Sequence, residues 1–128
     1  MIVLPPKLTN RFQVEFLLRG TNLDELSLQV VQVDPIRYSP KGVCPVLMTV
    51  FEDDVDNRVM KTLSSLWDQK LCIKVNALDG NATPMITWVF DDGAISAMTH
   101  GPFDYSLNAA MLIQGEFTCR SVQMKVLR

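Results

Sequence analysis

The sequence is poor in the residues on which catalytic and metal sites draw. Its 128 residues hold one histidine, His100, and three cysteines, Cys44, Cys72 and Cys119. A single histidine excludes any triad or metal cluster that needs two. A nucleophile–base pair would require His100 with a serine or cysteine, and no GxSxG elbow is present. The cysteines are odd in number and lack CxxC spacing, which argues against a disulfide scaffold or a zinc site. Cys72 and Cys119 fall in strand-like stretches and read as small core hydrophobes. The six glycines are scattered singly through turns, so no glycine-rich phosphate loop is formed. Basic residues show no surplus: 12 Lys and Arg stand against 14 Asp and Glu, for a net charge of -2. A groove that holds nucleic acid needs such a surplus to replace counterions. A weakly acidic surface instead lets a polyanion pass without sticking. No apolar run approaches the roughly 18 residues that span a bilayer. The opening Met1-Ile2-Val3-Leu4-Pro5-Pro6 has no basic region, and its apolar run is too short for a signal peptide. The expectation is a soluble protein made in the cytoplasm, with no membrane partner.

What is present suits one packed domain spanning 1–128. Hydrophobic residues make up 48% and charged residues 20%, enough to fill a core and too apolar for a disordered chain. Asp53, Asp54 and Asp56 resemble the start of a calcium loop. Counting from Asp54, however, the sixth residue is Val59 rather than glycine and the twelfth is Ser65 rather than glutamate. Capping of a following helix is the expected role. Asp91 and Asp92 lie in a turn with no apolar pocket to raise a pKa. Tyr38, Tyr105, Trp67 and Trp88 are not interleaved with basic residues as a stacking platform for bases requires. Both tryptophans are expected in the core. No catalytic residue, metal site or cofactor is expected.

The periodicity points to a mainly β fold. Phe12, Val14, Phe16 and Leu18 alternate with Arg11, Gln13 and Glu15 as a half-buried strand, followed by a turn at Gly20-Thr21-Asn22. Leu26, Leu28 and Val30 share one phase and Val31 and Val33 the other, which implies a β-bulge or a strand covered on both faces. Pro35, Pro40, Gly42 and Pro45 make 34–45 an extended, protruding loop before a strand over 46–51. Val55, Val59, Leu63 and Leu66 repeat at helical spacing, with Met60 and Trp67 flanking. Leu71, Ile73, Val75 and Ala77 return to period two, and Asp79-Gly80-Asn81 is a hairpin signal. Strands over 84–90 and 94–98 are expected either side of a turn at Asp91-Asp92-Gly93, then a connection through His100. A long last strand runs from about 110 to 126, with Gly115 marking a bend or bulge. The expected architecture is an antiparallel β-sandwich or barrel of about seven strands with one flanking α-helix over about 54–68.

The order of these pieces carries a resemblance. Leu63-Ser64-Ser65-Leu66-Trp67 ends the helix. A strand follows, then a turn with Gly80, then a strand bearing Trp88-Val89-Phe90 and the stretch Asp92-Gly93-Ala94-Ile95. Pro102-Phe103-Asp104-Tyr105-Ser106-Leu107-Asn108 precedes the long last strand, and Asn10-Arg11-Phe12-x-Val14-x-Phe16 opens the chain. Over roughly 8–124 this layout resembles the tail tube proteins of contractile-tailed bacteriophages, which are similar to the tube subunits of type VI secretion. The Pro-rich loop has no residue-by-residue counterpart and the chain is short for the family, which leaves a baseplate tube-initiator of the same fold as the alternative to the repeating tube.

The resemblance implies a structural, non-enzymatic virion protein, assembled in the host cytoplasm. Six copies would form a ring, and stacked rings a channel through which DNA and a tape-measure protein pass without specific binding. Sheath and baseplate proteins are the implied partners. Heterologous contacts close rings or extend filaments, and open strand edges serve as joints. The loop residues Pro35, Ile36, Arg37, Tyr38, Lys41 and Val43 are candidates for ring stacking, their prolines limiting the entropy lost on docking. Glu15 and Glu116, mid-strand on solvent faces, are candidates for a net-negative channel lining. The competing readings are a small monomeric ligand-binding β-barrel, which requires a cavity, and a catalytically dead enzyme-like domain or adaptor.

Overall fold

The structure, a computed structural model, describes residues 11–27, 29–37, 44–51, 57–101, 103, 106 and 112–127. Eight strands are formed among them: β1 (Phe12–Leu18), β2 (Thr21–Asn22), β3 (Val30–Val33), β4 (Cys44–Phe51), β5 (Leu71–Leu78), β6 (Pro84–His100), β7 (Leu112–Cys119) and β8 (Ser121–Val126). Two helical segments accompany them, the single turn α1 (Asp24–Ser27) and α2 (Arg58–Ser65). All strand pairs are antiparallel, in the order β2-β1-β5-β6-β7-β4-β3, with β8 on β6.

This sheet doubles back on itself through β6. The first half of β6 pairs with β5 and β8, and the second half with β7. One layer is therefore β2-β1-β5-β6-β8 and the other β6-β7-β4-β3. Period-two alternation turns Val14 and Phe16 of β1, and Leu71, Ile73 and Val75 of β5, inward. Val46, Met48 and Val50 of β4 and Ile113 and Phe117 of β7 face them from the other layer. The Phe16 and Phe117 rings meet between the layers, centroids 5.6 Å apart. Val59, Leu63 and Leu66, spaced four and three residues apart, place one stripe of α2 against Phe16, Leu26 and Met48. Each such aliphatic side chain contributes roughly 1.5–3 kcal/mol by leaving water.

The expected bulge in the third strand is present, as a register shift between Val30 and Gln32. The Asp79-Gly80-Asn81 hairpin also forms, Asp79 Oδ1 accepting from the Asn81 and Thr83 amides at 2.8 and 2.9 Å. Other expectations need correction. The first turn is Arg19-Gly20, both at positive φ (53° and 84°), and Thr21-Asn22 already belongs to β2. Leu26 sits not on a strand but on α1, which is too short to show a helical period. Asp91-Asp92-Gly93 does not end a strand: β6 runs straight through, because Gly93 still pairs with Leu71 while Ala94 already pairs with Thr118. Asp92 takes a left-handed φ of 53° and makes a corner rather than a hairpin.

The long last strand breaks opposite that corner. It stops at Arg120, whose amide donates to the Asp91 carbonyl at 2.9 Å, and not at Gly115, which stays in register with Met48 and Met98. A Cβ at Gly115 would lie 3.4 Å from the Phe117 ring, an ordinary van der Waals contact. The described helix is shorter than expected and has no acidic residue in its first turn. It begins after Asn57, at φ 53° with no side-chain cap; Asp53, Asp54 and Asp56 lie outside the described residues. Trp67 is 54% exposed, contrary to the core expectation, because at roughly 100° per residue it rotates off the Val59-Leu63-Leu66 stripe. Trp88 does pack against the core. His100 is the exposed last residue of β6 rather than a loop residue.

Candidate assembly surfaces

Each layer has an outward face. On the first layer it is made by Gln13 and Glu15 of β1, Cys72, Lys74 and Asn76 of β5, Thr87, Val89 and Asp91 of β6, and Gln123 and Lys125 of β8. Glu15 stands directly across from Lys74. With Asp91 and Lys125 the face carries two acids and two bases, so it is balanced rather than net negative. Thr87 Oγ1 donates to Asn76 Oδ1 at 2.7 Å, which satisfies the two most buried polar side chains there. Glu116 sits on the outward face of the other layer, between Leu47 and Ala97. Because the inner faces of the two layers pack on each other, Glu15 and Glu116 point away from one another. The structure does not bring the two lining candidates onto one surface.

The loop candidates divide similarly. Pro35 and Arg37 are exposed, whereas Ile36 packs against the protein's own core. Tyr38, Lys41 and Val43 lie outside the described residues. The Asp34 amide donates to the Leu47 carbonyl at 2.9 Å, which anchors the start of the loop to β4.

The cysteines sit apart from any cluster of groups that could hold a metal ion; none exists among the described residues. Cys44 and Cys119 are buried, directly opposed on β4 and β7, and no disulfide joins them. They occupy a hydrogen-bonded cross-strand position, as the alternation set by the Asp34–Leu47 and Gln29–Phe51 bonds requires. Cβ atoms there stand about 5.5 Å apart, beyond the roughly 3.5–4.5 Å of a disulfide. Burial pushes the Cys119 thiol up to about 12, with the neighbouring Cys44 adding to it. Burial also raises Cys72, with Asp91 adding to it. These thiols are poor nucleophiles. Asp92 holds the exposed Arg120 at 3.2 Å, a contact that solvent screens to little value.

Sequence reasoning did not find the edges of the first layer. The Phe16 amide donates to Ser27 Oγ at 3.2 Å, and its carbonyl accepts from the Leu23 amide at 2.8 Å. Even-numbered residues of β1 therefore point their backbone groups away from β5, and no described strand lies on that side of Phe12 and Val14. At the other edge, the Leu127 amide donates to the Met85 carbonyl, so odd-numbered residues of β8 face β6. Val122, Met124 and Val126 face outward from the edge. Met124 is 46% and Val126 65% exposed. Their alternation was visible in the sequence, but not that the strand would stand at an edge.

No protein-family model matches the chain, and no curated protein matches it. Solved structures do. A chain of the PVC extracellular contractile injection system, from its sheath/tube terminator in the extended state, matches with a TM-score of 0.76 and 14% identity, over 98% of this chain and 100% of that one. A chain of the PVC sheath-tube complex matches with a TM-score of 0.73 and 12% identity, over 95% and 93%. Hcp1 from Salmonella typhimurium matches with a TM-score of 0.56 and 10% identity, over 91% and 86%. The chain has the fold that these contractile injection system and Hcp proteins share.

Proposed function

We propose that the chain is a structural subunit of a contractile tail or injection tube, assembling with copies of itself into rings that stack into a channel. The observation that carries this reading is a fold match spanning nearly the whole of both chains, in a molecule whose first layer, among the described residues, is unpaired along β8 and along Phe12 and Val14 of β1. In that layer β1, β5, β6 and β8 alternate in direction. Rotation about an axis along the strands therefore brings β8 of one copy antiparallel to β1 of the next. Such a heterologous contact closes into a ring when the rotation permits. The ring has six copies on the resemblance to phage tail tubes, with sheath and baseplate proteins as further partners.

The first layer then lines the channel and Glu15 belongs to its wall, while Glu116 faces outward. The wall is charge-balanced, so passage of DNA or a tape-measure protein rests on the absence of a basic surplus and not on repulsion. Stacking falls to the loop between β3 and β4, through Pro35, Arg37 and the residues that follow. No catalysis is assigned.

A ligand-binding barrel is the weaker reading. Among the described residues, the cavity between the layers bounded by Phe16, Leu26, Met48, Leu63 and Phe117 is about 10 Å³, against roughly 300–1,000 Å³ for a small-molecule site. Negative-stain microscopy of concentrated protein tests the proposal. Rings or tubes are expected, and a chain that stays monomeric, alone and with sheath protein, refutes it. Stacks that stop after one or two rings would favour the baseplate initiator over the repeating tube.

A further inference from the structure

The outward face of the first layer balances its acids and bases, but they do not share its rows. Residues paired across the strands form rows perpendicular to them. One row is Glu15, Lys74, Val89 and Gln123, in which Glu15 and Lys74 stand side by side and cancel. The next row towards the β5–β6 turn is Gln13, Asn76, Thr87 and Lys125, and its one charge is Lys125. Beyond it the Leu78 amide donates to the Arg11 carbonyl at 2.9 Å, which leaves Arg11 in the same phase as Gln13. The Arg11 guanidinium lies beside Gly80 of that turn. Arg11 and Lys125 are both exposed. Asp79, the acid of the turn, directs Oδ1 to the Asn81 and Thr83 amides.

We infer that Arg11 and Lys125 make a basic rim on the channel wall that takes the phosphates of duplex DNA. The inference rests on the ring reading above, in which each row repeats once per copy and becomes a band around the axis. Asp91, the other acid of the wall, stands four residues from Thr87 along β6, about 14 Å at ~3.4 Å per residue. Salt screens exposed charges over about 8 Å at physiological ionic strength. A phosphate beside the rim therefore meets Lys125 and Arg11 and is shielded from Asp91.

The arrangement selects the cargo. A band of cations facing the axis from every side meets a duplex, with one phosphate charge per roughly 1.7 Å of its length, at any depth and any rotation. Phosphate contacts release counterions and hold the duplex without reading its sequence. No aromatic side chain lies on these rows, so the bases of a single strand find nothing to stack on. The remaining rows are neutral or acidic, which keeps the hold local and lets the duplex move.

Lys125→Gln and Arg11→Gln test the rim in assembled rings of the full-length chain, with a labelled duplex of about 20 bp as the probe. Both residues are exposed, so neither change should disturb the fold, and negative stain checks that rings persist. Parent rings should retain the duplex at about 50 mM salt and release it at about 500 mM. Each variant should bind about tenfold or more weakly at the lower salt, and should flatten the slope of log affinity against log salt by about 1 or more. Lys61→Gln, exposed on α2, should bind as the parent does. Where one variant forms no ring, the parent's salt series and the other variant decide. Parent rings that retain no duplex, rim variants that retain it like the parent, a Lys61→Gln protein that loses it, or polyglutamate retained as well as DNA overturn the rim while sparing the ring reading. Parent protein that forms no ring overturns both.

Discussion

Replacing Gly93 by alanine probes the corner at which β6 passes from one layer to the other. A Cβ built there would lie 3.1 Å from Ile73 Cδ1, 3.2 Å from Cys119 Sγ and 3.3 Å from the Leu71 carbonyl oxygen. Comfortable separations are about 3.5–4.0 Å. Two of the three neighbours are fully buried and the third is backbone, so relief must come from movement of β5 or of the corner. Overpacking of this kind costs about 1–3 kcal/mol, while the lower chain entropy of alanine in the unfolded state returns about 0.4–1 kcal/mol. The net expectation is a loss of about 1–2 kcal/mol, or ~3–8 °C in Tm for a domain of this length. Ile73→Val removes the atom in closest contact and by itself costs about 0.5–1.5 kcal/mol. In a double-mutant cycle followed by urea unfolding at one dilute protein concentration, the pair should lose at least about 0.5 kcal/mol less than the sum of the single variants. Strict additivity, or a Gly93→Ala protein as stable as the parent, would refute the close approach.

Two further outcomes follow from local geometry. Ala82 holds φ 60° in the turn between β5 and β6, so Ala82→Gly should raise the unfolding free energy measured in urea by a net ~0.5–1 kcal/mol; the left-handed strain relieved exceeds the entropy added to the unfolded chain. The Cys119 thiol is raised from 9.0 to about 12 in the fold. Its contribution is therefore intact below about pH 9 and lost at up to about 1.4 kcal/mol per unit between about pH 9 and 12, because the unfolded chain ionises first. Cys119→Ala should flatten unfolding free energy against pH in that window, and an unchanged slope would show that Cys119 does not keep its proton.

Much of the fold was legible where the chain alternates cleanly. Val14 and Phe16, Leu71 to Val75, and Ile113 and Phe117 face the core as their spacing implies. What was lost depends on residues distant in sequence. Asp91-Asp92-Gly93 has the composition of a hairpin, and only the pairing of Leu71 with Gly93 and of Thr118 with Ala94 makes it a corner. Arg120 interrupts the last strand for the same reason, since it faces that corner. α1 spans a single turn, too few residues to declare a period. Glu15 and Glu116 were legible as outward-facing, but which layer each belongs to is set by strand order. Ile36 looked like a contact residue because it lies among prolines; its packing on the core is a tertiary fact.

The corner and the open edges are parts of one argument. Among the described strands the first layer has β1, with the two-residue β2 on its end, and β8 as its margins, and both are positioned from β6: β5 carries β1 on one side, and β8 hangs on the other because the β7–β8 strand breaks at Arg120. The angle that Asp92, Gly93 and Arg120 impose therefore fixes how far the two margins diverge. In the proposed ring, that divergence would set the rotation between one copy and the next, and with it whether the contacts close and after how many copies. A substitution at Gly93 that leaves the monomer folded would consequently alter the diameter or regularity of rings before it abolished them.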